Sequence, residues 1–260
     1  MIRRVTAGAV AVLALGAAGC SGNGGGGTDA EPSPGERRTP TAGPSPGGEG
    51  PAEADAADRP GPASAADALA LARAVAIAPE DFGPGFVAQE PYEPDPATWA
   101  VLDDACVWQR EPLADGVLAN VTRNAELPAE RDGDGPLQVM SSVTVYDSVR
   151  TADARMADIV EEVLRCPEQR LRADERVTGL GSSSMPPEEL SVDDQIYESG
   201  QFHSDVHGGP YGYQWLVSRI GPVTVALSVK GSAEFGPDEL LGVSAPALAL
   251  LESNADAELG

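Results

Sequence analysis

The sequence predicts an α/β fold of the α+β type, in which a mostly antiparallel sheet flanked by helices follows a disordered linker. Three observations support this fold class. Apolar and polar residues alternate over 139–146, and strand-forming residues return over 211–220 and 223–230. Helical spacing with capping residues occurs before, between and after these stretches. Residues 21–63 contain no Leu, Ile, Val, Met or aromatic residue, so they cannot form a core.

Residues 1–19 predict a lipoprotein signal peptide. Two arginines precede an uncharged apolar run over 5–18, which is too short to span a bilayer. The run ends in small residues before Cys20 and resembles a bacterial lipobox, although Ala17 stands where Leu, Val or Ile is commoner. We therefore expect a lipid anchor on Cys20 that holds the protein on the extracytoplasmic face of the cell membrane. The alternative is an ordinary secretory signal, cut nearby, with Cys20 left free.

Composition divides the rest of the chain into linker, domain and tail. Residues 20–63 predict a disordered linker, because 11 glycines and 8 prolines fall after Cys20 in this stretch. One folded domain is expected over 64–252, with a disordered tail over 253–260. The chain has 17 basic and 41 acidic residues, a net charge of −24. Nucleic-acid partners are excluded, because this charge repels polyphosphates.

The first predicted element of the domain is a helix. Ser64 and Asp67 have the spacing of an N-capping pair before an Ala-rich stretch, and Pro79 limits the helix at its other end. The next clear element is the strand over 139–146.

A second helix follows that strand. Thr151 is expected to cap it and Cys166-Pro167 to end it. Its apolar stripe consists of Met156, Ile159, Val160, Val163 and Leu164.

The last third of the domain predicts a hairpin and a helix. The strands over 211–220 and 223–230 are joined through Gly221-Pro222. The final helix opens at Pro237, because proline suits the first helical position, and Pro246 is expected to kink or divide it.

Cysteine use agrees with an exported protein. Once Cys20 is lipidated, Cys106 and Cys166 remain as a pair, and a disulfide is expected in an oxidising compartment. We expect this bridge to be structural, since a catalytic thiol needs an activating group, usually histidine, and the chain has only two histidines.

The order of several short motifs resembles a known family. Ala-Pro-Glu-Asp-Phe-Gly-Pro-Gly-Phe occupies 78–86, Asp-Ala-Cys occupies 104–106, and the strand over 143–146 leads through a helix to Cys166-Pro167 and later to Arg-Ile-Gly-Pro over 219–222. This order is similar to the extracellular sensor-like domain of PknH-type receptor kinases and of actinobacterial lipoproteins. The resemblance implies an antiparallel sheet flanked by helices, a cleft for an unidentified ligand, and no catalysis. The kinase sensors carry two disulfides where this chain can form one, and no kinase domain is present, so a signalling role is not carried over.

The sequence gives little support to a metal site or a catalytic centre. His203 and His207 are four residues apart, a metal-binding spacing on a helix, but the neighbouring glycines favour a solvated loop. The acidic turn 132–135 begins like a calcium loop, yet Val143 stands at the twelfth position, which requires glutamate, so a hairpin turn explains it better. No nucleophile elbow of the Gly-x-Ser-x-Gly type is found around the glycine-serine segments. We expect no metal, no other cofactor and no catalytic residue.

The candidate ligand-binding residues are four aromatic residues close together in a chain with only 12 aromatics: Phe202, Tyr211, Tyr213 and Trp215. The last three alternate along a predicted strand and therefore share one face. That face is either core or the wall of a cleft for a sugar, a glycan or an apolar ligand. We expect Trp215 to be buried and one tyrosine to reach the cleft with its hydroxyl free.

These observations predict a membrane-anchored lipoprotein that binds an unidentified extracytoplasmic ligand or protein partner without catalysis. One alternative is a secreted hydrolase that uses acidic pairs such as Asp103-Asp104 and Asp193-Asp194, although chance alone produces such pairs among 41 acids. Another is a structural component of the envelope. A cleft around Trp215 with perturbed carboxylates favours the hydrolase, and a surface without a cleft favours the structural component.

Overall fold

The computed structural model describes residues 61–130, 135–184 and 191–260. The expected signal peptide, Cys20 and nearly all of the expected linker lie outside these ranges, as do residues 132–134 of the acidic turn. The described residues belong to a single compact unit.

Three α-helices and one short 3₁₀ helix lie among ten strands in the described part of the chain. The helices are α1 (Ala65–Val75), α2 (Val149–Arg165) and α3 (Pro237–Leu259), and the 3₁₀ helix covers Pro79–Phe82. The strands are β1 (Val87–Ala88), β2 (Thr98–Leu102), β3 (Trp108–Pro112), β4 (Val117–Leu127), β5 (Leu137–Tyr146), β6 (Gln169–Arg172), β7 (Glu175–Ser184), β8 (Asp194–Ser204), β9 (Gly208–Ile220) and β10 (Val223–Lys230).

Eight of the strands form one curled antiparallel sheet in the order β1-β4-β5-β10-β9-β8-β7-β6. Strands β2 and β3 form a separate two-stranded hairpin. At the centre of the sheet, β10 pairs with β5 on one side and with β9 on the other along its whole length. The predicted α+β class, a mostly antiparallel sheet flanked by helices, is confirmed.

The two faces of the sheet are covered differently, because side chains alternate along each strand. One face carries the valines of β5 and β10, which pack against α1 and α3 in the larger core. On the other face, Met156, Ile159 and Val163 of α2 pack against β7, β8 and β9. The remainder of this second face, on β4 and β5, carries polar residues, and the β2–β3 hairpin lies over it.

The helix boundaries follow their capping residues. Ser64 caps α1, since its Oγ accepts the Asp67 N–H at 3.2 Å, as predicted. The expected cap of α2 is wrong by three residues. Its cap is Ser148, whose Oγ accepts the Thr151 N–H at 3.2 Å, and the Thr151 hydroxyl is instead directed to Asp147 at 2.6 Å.

The apolar stripe of α2 is narrower than expected. Val160 and Leu164 are 38% and 78% exposed, whereas Ile159 and Val163 are buried. Each exposed residue directly follows a buried one and is therefore turned by about 100° away from the sheet.

Helix α3 corrects one expectation, the disordered tail, and leaves a kink at Pro246 as a prediction. Pro246 lies inside the helix without dividing it, and the helix continues through Leu259. Residues 253–259 of the expected disordered tail 253–260 therefore extend α3, and Gly260 caps its end. Leu251, Ala255 and Leu259 are spaced four apart and continue the face that packs on the larger core, and Ala255 is fully buried.

The remaining predicted connections are present. Gly221 adopts a φ of +55° in the turn between β9 and β10, a conformation that suits glycine. A disulfide joins Cys106, in the turn between β2 and β3, to Cys166, which ends α2. Within the described ranges, no helix has both the length and the apolar character needed to cross a membrane.

Candidate ligand-binding cavity

A cavity of about 410 Å³ lies between the polar part of the sheet and the β2–β3 hairpin. Its floor is formed by β4, β5, β9 and β10, and its cover by the hairpin together with parts of α2 and β6. Small-molecule sites in proteins have volumes of about 300–1,000 Å³, so this cavity is large enough for a small ligand.

The floor consists of hydroxyl and amide groups that are held by one another. Asn120 donates through Nδ2 to Ser142 Oγ at 3.0 Å and to Thr144 Oγ1 at 2.9 Å. Thr122 Oγ1 donates to Asn120 Oδ1 at 3.0 Å. These side chains alternate with the valines that face α1 and α3, so one strand pattern produces both the larger core and this floor. The floor is therefore a fixed polar surface.

The walls are aromatic, and all three tryptophans of the chain line the cavity. Trp108 packs edge-to-face on Trp215, with ring centroids 5.6 Å apart, and its Nε1 donates to Gln169 Oε1 at 2.7 Å. Trp99, on β2, lies under the guanidinium of Arg155 at 5.6 Å from the ring centroid. The cavity thus combines broad apolar surfaces with fixed polar groups, the combination typical of small-molecule sites.

Two lining residues carry buried polar atoms without a partner among the described residues. They are Trp215, at Nε1, and Gln138, at Oε1. Such atoms are uncommon in folded proteins. Trp215 Nε1 is a donor and Gln138 Oε1 is an acceptor.

A buried carboxyl group lies beside Trp215 on the same face of the sheet. Glu198 pairs with Trp215 across β8 and β9, is 1% exposed, and has no partner for either carboxyl oxygen among the described residues. Its pKa is raised to about 8, mainly by burial and also by the charge of Glu162, while Arg155 opposes the change. Burial, followed by the charge of Glu198, also raises the pKa of Tyr213. Glu198 is not among the residues that line the cavity.

The structure separates the four predicted ligand-binding residues into two pairs. Tyr213 and Trp215 are buried and line the cavity, and the Tyr213 hydroxyl has no hydrogen-bond partner among the described residues. Phe202 and Tyr211 do not line it. Phe202 packs beneath Lys230 at 5.2 Å, and the Tyr211 hydroxyl donates to the His207 carbonyl at 2.7 Å. The pairs differ because Phe202 and Tyr211 are opposite each other near the β8–β9 turn, beyond the hairpin cover.

The two histidines do not converge. His203 lies on β8 with Nε2 3.0 Å from Thr178 Oγ1, and His207 lies in the following turn. No group of three or more His, Cys, Asp or Glu side chains in the described ranges could hold a metal ion.

The two acidic pairs hold turns rather than line the cavity. Asp103 accepts the backbone N–H groups of Ala105 at 2.9 Å and Val107 at 2.8 Å, and the Val107 bond is the main cause of its lowered pKa. Asp193 accepts the Gly221 N–H at 2.6 Å beside Arg219. These carboxylates therefore have local structural partners.

Sequence reasoning missed most of the cavity, including Trp99, Trp108 and the polar residues of β4 and β5. The alternation of polar and apolar residues over 139–146 was a usable signal, but a polar strand face normally indicates solvent. Only the tertiary position of the hairpin shows that this face is covered.

No protein-family model matches the chain, and no curated protein is significantly similar to it.

Proposed function

We propose that this protein is a lipid-anchored component of the cell envelope whose domain binds a small extracytoplasmic ligand without catalysis. The observation that carries the proposal is the cavity, with every tryptophan of the chain on its walls and a hydrogen-bonded polar floor beneath them. A fixed floor gives orientation to a ligand, and aromatic walls give contact area.

The sequence and the disulfide support the proposed location. The signal-like residues 1–19 end at Cys20, which would carry the anchor. The Cys106–Cys166 bridge is consistent with an oxidising compartment outside the cytoplasm. The resemblance to PknH-type sensor-like domains supports the same reading, because that family is expected to hold a ligand in a cleft of an antiparallel α/β domain.

A hydrolase is the second candidate, and the perturbed carboxyl of Glu198 beside Trp215 is the observation that favours it. A general acid must lie within hydrogen-bond reach of the reacting group. Glu198 is buried and does not line the cavity, so it does not meet this requirement. Ligand binding therefore remains the better supported function.

A screen of small molecules by intrinsic tryptophan fluorescence tests the proposal, because every tryptophan reports on the cavity. We expect at least one compound to change the emission saturably. Trp99→Ala should weaken its binding by about tenfold or more, since the ring forms part of the hairpin wall. Leu164→Ala is the matched control, because Leu164 is exposed on α2 outside the cavity.

Two results would contradict the proposal. One is a broad screen in which no compound changes the emission saturably. The other is a Trp99→Ala variant that binds every hit as tightly as the wild type does, with its fold intact by circular dichroism.

A further inference from the structure

The charges around the cavity are opposite in sign to the charge of the chain. Four cationic side chains line it: Arg110, Arg155, Arg172 and Lys230. Among the described residues no aspartate or glutamate does so, although the chain has 41 acids and a net charge of −24. Lining residues drawn at random from this chain would include more acids than bases. The cationic lining is therefore specific to the cavity and does not follow from the overall composition.

Two of these four charges are balanced by glutamates behind the lining. Arg155 forms a two-point pair with Glu162, with N–O distances of 2.6 and 3.1 Å. Lys230 Nζ lies 2.6 Å from Glu175 Oε2, and Arg172 Nε is 3.8 Å from the same oxygen. Since Lys230 and Arg172 share one carboxylate, that group of three retains one positive charge.

Arg110 has no carboxylate within ion-pair distance among the described residues. Its Nε donates to Thr98 Oγ1 at 2.9 Å, and its Nη2 donates to the carbonyls of Thr98 at 2.5 Å and Asp95 at 3.3 Å. Nη1 has no partner in the described ranges. The neutral oxygens thus fix the guanidinium and leave one nitrogen without a hydrogen bond, and the Asp95 carboxylate acts on its charge only from beyond ion-pair distance.

The two cations with the weakest ion pairing, Arg110 and Arg172, belong to neighbouring segments that both line the cavity. Arg110 is on β3 and Arg172 is on β6, and a parallel bridge between Val107 and Arg170 places these segments side by side. Trp108, on the same hairpin strand as Arg110, presents its ring to Trp215 below. A cationic rim therefore adjoins an aromatic wall.

We infer that the ligand is a small amphipathic organic anion whose apolar body packs against Trp108 and Trp215 and whose anionic group binds at Arg110 and Arg172. This inference rests on the proposed binding function and specifies its ligand class. The acidic outer surface attracts no anion, so recognition depends on this local rim rather than on the net charge.

A matched pair of probes tests the inference by calorimetry. The probes are 2-naphthoate and 2-naphthamide, which share ring system and shape but differ in charge. The protein is the full chain with Cys20→Ser, so that no acyl chain competes for an amphipathic probe. We expect naphthoate to bind about tenfold more tightly than the amide at low salt, because a charged hydrogen bond is stronger than a neutral one.

Substitutions at the rim separate charge recognition from binding in general. Arg110→Gln and Arg172→Gln should each remove most of the preference for naphthoate, because they weaken the binding of the charged probe much more than that of the amide. Arg176→Gln is the control, because Arg176 lies outside the cavity and pairs with Asp205. It should leave both affinities unchanged.

The outcomes distinguish this inference from the proposed function. Equal affinities for the two probes would overturn the anionic class, and an unaltered preference in both rim variants would overturn the assignment of the anionic group to Arg110 and Arg172; either result leaves the proposed binding function standing. If neither of these probes binds but the fluorescence screen yields neutral or cationic hits, the anionic class is also overturned. Failure of every compound in both experiments would overturn the proposed function itself.

Discussion

At the scale of single residues, Glu198 has an unfavourable environment for a carboxylate. Its carboxyl group is buried beside Trp215 and near Arg155 and Glu162 of α2, without a hydrogen-bond partner in the described ranges. The folded protein holds its proton to a pKa of about 8, against 4.5 for the free group. The unfolded chain therefore loses this proton at a lower pH than the folded protein does.

This difference predicts a pH dependence of stability that Glu198→Gln removes. The contribution of the protonated group is fully present below pH 4.5, and it is lost as the pH rises to about 8. The stability of the wild type should fall relative to the variant by up to about 1.4 kcal/mol per pH unit across this window. Urea unfolding of both proteins at several pH values measures the difference between their free energies of unfolding. A difference that stays constant with pH would exclude a raised pKa at Glu198.

Tyr211 and Tyr213 form a matched pair of tyrosines with different environments. Tyr211→Phe removes the hydrogen bond to the His207 carbonyl and should cost about 1 kcal/mol of stability without affecting ligands of the cavity. Tyr213→Phe removes a hydroxyl that no described residue binds, so it should cost little stability and weaken ligands that bond to it. Melting temperatures and affinities of the two variants test this. Weaker ligand binding in Tyr211→Phe, with unchanged binding in Tyr213→Phe, would show that Tyr211 and not Tyr213 belongs to the site.

At the scale of elements, the β2–β3 hairpin and its disulfide control the cover of the cavity. The hairpin is separate from the main sheet, and the Cys106–Cys166 bridge attaches its turn to the end of α2. The polar floor belongs to the strongly paired β4 and β5, so the floor and the cover differ in how firmly they are held.

Removal of the disulfide should therefore affect both stability and binding. Cys106→Ser with Cys166→Ser opens a loop of 60 residues, and the chain-entropy relation gives a loss of about 4 kcal/mol. We also expect weaker ligand binding, because the hairpin that carries Trp99 and Trp108 loses one of its attachments and keeps only the contacts with β6 such as the Val107–Arg170 bridge. Denaturant unfolding and calorimetry on the same variant measure the two effects. An unchanged affinity in a folded variant would show that the hairpin holds its position without the bridge.

The elements that the sequence predicted are those with strong local signals. The Ser64 cap, the valine alternation before Tyr146 and the glycine turn at Gly221 each act within a few residues. The cap of α2 was misplaced because Ser148 and Thr151 are both good capping residues, and the choice depends on where Asp147 lies. The end of α3 was missed because its last turns gain stability from packing on the larger core rather than from helix signals.

The cavity was less predictable than the fold, because its residues come together only through long-range packing. Trp99 and Trp108 are more than 100 residues from Trp215 in the sequence, and no local pattern links them. Glu198 could not be singled out among 41 acids, since its raised pKa arises from burial beside Trp215, which depends on the folded structure. The aromatic alternation of β9 did indicate Tyr213 and Trp215, because side chains two apart on a strand share a face.

At the scale of the whole molecule, the anchor, the linker and the folded domain have separate roles in the proposed function. Cys20 would attach the protein to the membrane, the Gly- and Pro-rich stretch would separate it from the lipid, and the domain would meet the ligand. The net charge of −24 would keep the domain away from anionic surfaces.

The proposed anchor predicts the fate of a Cys20→Ala variant. Without the thiol that accepts the lipid, the protein should be released into the medium or remain unprocessed. Fractionation and mass analysis of the exported protein measure this, with Cys106→Ser in combination with Cys166→Ser as a control that keeps Cys20. A processed Cys20→Ala protein that stays in the membrane would show that another feature anchors it.

The central claim, ligand binding in the cavity, is tested most directly by fluorine NMR of protein labelled with 5-fluorotryptophan. The three tryptophans should give three signals, and all of them line the cavity. A hit from the fluorescence screen should shift the signals of Trp108 and Trp215, assigned by Trp108→Phe and Trp215→Phe, along saturable curves with one dissociation constant. A compound that binds the protein by calorimetry but leaves all three signals unmoved would contradict the claim.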